Sequence, residues 1–177
     1  MRRALILAAA LAPFLAQPAA AMSKSFHALL EVYRCEVVHR LEQIYVAGDP
    51  ASTRDRYIAV SVPGRAQAYV QCMFHDRESK LYCEAASGFY LAKKGAPRTF
   101  HQPPQTIAAL ARLGFSTDDS ASNFKVDFDV ADPPEFNAMA DFILRALHDG
   151  YGARGNMNLR FNAPFAPRAP STCVPVS

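Results

Sequence analysis

Tyr69-Val70-Gln71-Cys72-Met73-Phe74-His75, then Asp76-Arg77-Glu78-Ser79, then Lys80-Leu81-Tyr82-Cys83-Glu84-Ala85-Ala86 is the stretch on which the fold turns. Both flanks, Ala68 to Phe74 and Lys80 to Ala86, alternate with period two, and the four polar residues between them suit a turn. A symmetric register about that turn sets Phe74 opposite Leu81, Cys72 opposite Cys83 and Val70 opposite Ala85. All six then share one face. A slip of one residue would oppose this apolar set to polar groups, so the pattern specifies its own register. The other face carries Tyr69, Gln71, Met73, Tyr82 and Glu84 and is half apolar.

Outward from the hairpin the period changes twice. Upstream, Ile58, Val60 and Val62 alternate with Tyr57, Ala59 and Ser61 before the turn Pro63-Gly64, which predicts a strand that adds Tyr57 to the outer face. Further upstream Phe26, Leu30, Tyr33, Val37, Leu41 and Ile44 recur at three and four residues, the spacing of one helical face, over Ser25 to Val46. Gly48-Asp49-Pro50 is expected to end that helix. Downstream, 92–102 reads as a loop, and Pro103-Pro104 opens a short helix that stops at Leu113-Gly114. Asn123 to Val130 is a further strand with Phe124, Val126, Phe128 and Val130 inward and Lys125, Asp127 and Asp129 outward. Asp132-Pro133-Pro134-Glu135 reads as a helix start with Asp132 as the cap, and Phe136, Met139, Ala140, Ile143 and Leu147 stripe the helix to its stop at Gly150. The order α-β-β-β-α-β-α predicts an α+β domain of two layers, an antiparallel sheet of about four strands packed by three helices.

The chain begins with Arg2-Arg3, an apolar run Ala4 to Ala16, and Gln17-Pro18-Ala19-Ala20-Ala21. That is the layout of a secretory signal segment (1–21) cleaved after Ala21, which predicts a periplasmic or secreted protein. The apolar run is shorter than the ~20 residues of a spanning helix, so no membrane span is expected after cleavage. Translation from Met22 is the competing reading. Of 177 residues 50% are hydrophobic and 20% charged, too apolar for a disordered chain. The formal charge of +3 loses two arginines on cleavage and becomes +1, which points away from a nucleic-acid partner. The expected divisions are the signal segment, a domain over 22–154 and a Pro-rich tail over 155–177.

Four cysteines in an exported chain suggest disulfides. The hairpin register brings Cys72 and Cys83 together. Cys35 lies off the apolar helical face, toward the rim, and Cys173 is its remaining partner; a bridge there would pin the tail across the first helix. Two free thiols packed in the core are the alternative for Cys72 and Cys83. Cys35 and His39, four apart on one helix, could form a thiolate and base or half a metal site, although a bridged Cys35 and a solvated His39 fit an exported chain better. Cys72, His75 and Cys83 could supply three zinc ligands, but His75 falls at the turn while the cysteines face the core. Asp127, Asp129 and Asp132 read as a solvated strand face followed by a cap, and Lys93, Lys94 and Arg98, beside Phe89, Tyr90 and Phe100, as a solvated loop. No HExxH, GxSxG or phosphate-binding glycine loop is present, and no cofactor, metal or catalytic residue is assigned. What stands out is the outer sheet face, with Tyr57, Tyr69, Gln71, Met73, Tyr82 and Glu84 as candidate binding residues.

Several short motifs together resemble one family. Tyr69-Val70-Gln71-Cys72, Leu81-Tyr82-Cys83-Glu84-Ala85-Ala86-Ser87, Leu110-x-x-Leu113-Gly114-Phe115, Asn123-Phe124 and Leu147-His148-Asp149-Gly150-Tyr151-Gly152 are similar to the TY-Chap domain, which groups with YbjN-like and type III secretion chaperone-like folds. The similarity runs over roughly residues 55 to 154. It implies a chaperone-like, protein- or peptide-binding scaffold, often a homodimer, with no chemistry of its own. The expectation is therefore an exported non-enzymatic binding module. The competing expectation is a thiol-based redox protein or enzyme using Cys35 and His39 or Cys72 and Cys83.

Overall fold

A computed structural model describes residues 23–47, 56–91, 100–168 and 173. The expected signal segment, the Gly48-Asp49-Pro50 stop and the basic positions Lys93, Lys94 and Arg98 lie outside the described residues. Helix α1 (Lys24–Val46) starts where Ser23, in extended conformation, accepts a hydrogen bond from the Phe26 amide. All six positions of its expected apolar face are buried, together with Leu29 and Arg40. Strands β1 (Tyr57–Ser61), β2 (Tyr69–His75), β3 (Lys80–Ala85) and β4 (Phe124–Asp129) follow, with α2 (Pro104–Arg112) between β3 and β4. Gly114, at φ +92°, takes the left-handed conformation that ends α2.

The hairpin has the expected register, with Val70 opposite Ala85, Cys72 opposite Cys83 and Phe74 opposite Leu81. These six residues and Ile58 and Val60 of β1 are buried beneath the helices. Among the described residues the sheet is one open antiparallel layer in the order β4-β3-β2-β1-β5. The expected antiparallel sheet of about four strands is present with a fifth, β5 (Arg160–Asn162), added from the tail, where no strand period is visible. It forms because the chain after the last helix is held against α1. Gly155 passes so close that a Cβ there would stand 2.7 Å from the Ala28 carbonyl oxygen. The Tyr33 hydroxyl donates to the Met157 carbonyl and accepts from the Leu159 amide, and the buried Arg40 donates to the Ala166 carbonyl beneath Phe161.

The last helix departs from its expected start. It runs α3 (Phe136–Arg145) and ends in a wider π-type turn, Ala146–Gly150, with Glu135 at the cap position and no side-chain cap. Asp132 and Pro133 each precede a proline ring, which disfavours the helical conformation there, and both lie in a bend ahead of the helix, so Asp132 does not cap. α1 and α3 lie together on the inner face, joined by Arg34, whose Nε donates to Asp141 Oδ1 at 2.6 Å. The Asp141 carboxylate and this hydrogen bond hold the Arg34 pKa above its ordinary value. Arg56, 2% exposed, donates to the Ile44 and Tyr45 carbonyls at the end of α1 and to Glu78 in the hairpin turn. No helix among the described residues is long and apolar enough to cross a membrane.

Candidate functional site

The strand register assigns the outer face row by row. One row runs Tyr57, Met73, Tyr82, Asp127 across four strands; the next runs Asn162, Ala59, Gln71, Glu84, Lys125; Ser61 and Tyr69 follow. All six residues singled out in the sequence therefore lie on one face, opposite the helices. They are half-buried, and their hydroxyls are occupied. Tyr82 donates to Glu84 Oε1 at 2.6 Å, Asn123 Nδ2 donates to the Tyr69 hydroxyl at 2.8 Å, and Asn162 Nδ2 donates to the Tyr57 hydroxyl at 2.9 Å. Burial and the adjacent Glu84 carboxylate push the Tyr82 phenol well above its ordinary pKa; burial does the same at Tyr69. The face is an internally bonded platform on which burial keeps the Tyr69 and Tyr82 phenols protonated.

The two edges of the sheet differ. β5 is three residues long. On β4 the Val130 amide donates inward to the Ser79 carbonyl, whereas Lys125 exchanges both main-chain bonds with Ser116 on the outer side. Peptide groups alternate along a strand, so those of Val126 and Phe128 serve β3 and those of Asp127 and Asp129 point out of the sheet. Ser116 makes a single antiparallel bridge: the chain before it, ending α2 at Gly114, passes beside Val126, and the chain after it runs toward the Phe124 end, away from Asp127 and Asp129. Among the described residues nothing pairs with the outward peptide groups of Asp127 and Asp129.

An apolar cleft of about 260 Å³ opens beside this bare edge, on the helix side, lined by Leu81, Phe128, Ala131, Ala138, Met139 and Phe142, with Asp129 and Glu135 at its rim. It exists because α3 begins at Phe136 rather than at the prolines. Phe142 forms one wall, with its ring 4.6 Å from that of Phe128 and 5.4 Å from that of Phe115. Asp127 and Asp129 were expected as a solvated face, and their side chains are solvated. What the sequence did not reveal is that β4 lies at an edge, because strand order depends on contacts far apart in the chain.

Both expected disulfides are present, Cys35–Cys173 and Cys72–Cys83. Cys35 is thereby unavailable as a thiolate for His39, whose ring lies 3.0 Å from the Gln43 amide nitrogen. His75 Nε2 is 2.9 Å from Asp127 Oδ1 on the outer face, away from the buried Cys72 and Cys83, so those three do not converge on a metal. Among the described residues no group of three metal-ligating side chains converges anywhere.

One arrangement escaped sequence reasoning. Ser25 Oγ is 2.9 Å from His148 Nε2, and His148 Nδ1 is 2.5 Å from Asp149 Oδ1. Nucleophile, base and orienter are in a triad order. The same contacts also fasten the first turn of α1 to the π-type turn: the Phe26 ring stands edge-on to His148 at 5.4 Å, and the Arg145 guanidinium lies 3.6 Å above Phe26. His148 is buried in this stack.

A family model described as T3SS (YopN, CesT) and YbjN peptide-binding chaperone 3, TY-Chap3, matches residues 36–164, which span the C-terminal half of α1, the whole sheet and the cleft. No curated protein and no solved structure matches the chain.

Proposed function

We propose, from the premise that this chain belongs to the TY-Chap3 family of peptide-binding chaperones, that it is an exported, non-enzymatic module that holds an extended peptide along β4. The observation that carries this reading is the coincidence of an unpaired strand edge with an apolar cleft directly beside it. Main-chain groups at Asp127 and Asp129 can accept a further strand, and every second side chain of that strand would enter the cleft. Backbone bonding makes the grip tolerant of sequence, and the cleft adds selection for apolar side chains. The row Tyr57, Met73, Tyr82 ends at Asp127, so the outer-face residues Tyr57, Tyr69, Gln71, Met73, Tyr82 and Glu84 form an adjoining surface for the rest of the partner or for a second copy of the chain.

Amide hydrogen exchange tests the site. A pool of proline-free nonapeptides should protect the amides of Asp127 and Asp129, which have no main-chain partner among the described residues and should exchange fast without peptide; binding that leaves both unprotected would remove the edge from the reading. Export is supported by the residue pattern of 1–21 and by two disulfides, which persist in oxidising compartments. Mass spectrometry of the exported fraction should find a chain beginning at Met22 with both bridges intact. Recovery only from the reduced cytoplasm would refute export. The thiol-based alternative requires a free, reactive cysteine, and thiol titration of the native protein that found one would favour it.

A further inference from the structure

We infer that the segment held at this edge is a strand alternating basic and apolar residues, Lys or Arg at each position opposite Asp127 and Asp129 and a Leu, Met or Phe between them. The inference rests on the peptide-binding reading above and adds the chemistry of the ligand. An added strand places its side chains in the same alternation as its neighbour, so residues opposite Asp127 and Asp129 lie on the outer face and the residue opposite Phe128 lies on the cleft face. The cleft face is apolar, walled by Phe128, Met139 and Phe142. On the outer face the added side chains meet carboxylates. Asp129 is 87% exposed despite its contact with Lys80, and Asp127 is more than half exposed beside His75. Glu135 contributes a third carboxylate at the cleft rim. Lys80, itself paired with Asp129, and Lys125, two residues from Asp127 on the same face of β4, are the neighbouring cations, so the three carboxylates still leave an excess of negative charge. An acidic strand would set like charges directly opposite one another, and a wholly apolar strand would leave the outer positions without complement. Ser116, already paired with Lys125, limits the free edge to about five residues and sets the length of the motif.

The experiment uses the mature full chain and two end-blocked, fluorescein-labelled peptides, Lys-Leu-Lys-Leu-Lys and Glu-Leu-Glu-Leu-Glu, read by fluorescence anisotropy in low and moderate salt. Two cross-strand pairs change from attractive to repulsive, so the basic peptide should bind roughly tenfold tighter or more, with the ratio shrinking as salt rises. The double variant Asp127→Lys with Asp129→Lys, its fold checked by circular dichroism, should reverse the preference. Equal binding of both peptides, or tighter binding of the acidic one, overturns the charge rule while leaving the peptide-binding reading standing. Failure of both peptides to bind overturns that reading and this inference together. An unchanged order of affinity in the folded double variant places the basic peptide elsewhere and refutes the assignment to β4.

Discussion

A proline scan along β4 tests the edge directly, because adjacent positions should respond in opposite ways. Asp127→Pro removes an amide that points out of the sheet, so it takes no bond from the β3–β4 ladder, and Val126 before it is already extended, as a residue preceding proline must be. Its contacts with His75 are exposed, and an exposed pair contributes at most about 1 kcal/mol. The variant should therefore stay folded, with a stability loss on the order of 1 kcal/mol. For an incoming strand the ring removes one of the two bonds exchanged at that position, about 0.5 to 1.5 kcal/mol, and also obstructs close approach. Binding of an extended peptide should weaken roughly tenfold or more. Phe128→Pro, one residue along, removes an inward amide and a cleft wall, and should cost about 3 kcal/mol or more. Calorimetric unfolding and fluorescence anisotropy on the two variants, with Asp127→Asn as the charge control, separate the effects. If Asp127→Pro is folded and binds as the parent does, peptide addition at β4 is wrong. If Asp127→Pro unfolds the protein as Phe128→Pro does, the direction assigned to the peptide groups is wrong.

Replacing Cys35 and Cys173 by serine opens a loop spanning 138 residues and should lower stability by up to roughly 5 kcal/mol, read by guanidinium unfolding. A loss near zero would show that Arg40, Tyr33 and β5 hold the tail unaided. Arg56→Met leaves Glu78 without its buried partner and uncaps two helix carbonyls; a loss of about 3 to 5 kcal/mol is expected in the same assay, and a stable variant would contradict the burial of the pair. Ser25, despite its contact with His148, should remain unlabelled by a fluorophosphonate probe; specific labelling lost in Ser25→Ala would overturn the non-enzymatic reading. Light scattering should find that Tyr69→Asp with Tyr82→Asp turns any dimer into a monomer, and a parent protein already monomeric would reject the outer face as a self-association surface.

The elements legible in the sequence are those whose partners are close along the chain or whose period is long. The β2–β3 hairpin states its own register through six apolar residues, and α1 repeats its buried face six times, so both were readable residue by residue. The Cys72–Cys83 bridge followed from that register. β5 was not legible, because three residues of which only Phe161 is half-buried carry no period, and their strand form depends on β1, a hundred residues away. The start of α3 was misread because the capping pattern around Asp132 ignores how consecutive prolines disfavour helical backbone in the residues before them, which delays the helix to Phe136. That shift matters for the site, since the space left below Glu135 and Met139 is the cleft. The contact of Ser25 with His148 joins opposite ends of the chain and leaves no trace in local spacing.

The carboxylates on β4 have a second consequence, and it bears on why a free edge is tolerable. An unpaired strand edge invites pairing with any other edge, including that of a second copy. Two copies meeting antiparallel through β4 would bring Asp127 and Asp129 of one close to the same residues of the other, four carboxylates along one seam, which opposes association. Acidic and purely apolar strands from other chains gain nothing from that seam. Lys or Arg at alternate positions neutralises it while sending the intervening apolar residues into the cleft beneath. One charge pattern thus protects the edge from its own kind and selects what may add to it. Self-association, where it occurs, is expected through the Tyr57, Tyr69, Met73 and Tyr82 platform, whose hydroxyls are tied down by Asn162, Asn123 and Glu84, rather than through β4. A dimer that survived Tyr69→Asp with Tyr82→Asp but dissociated on Asp127→Pro would break this division of roles between face and edge.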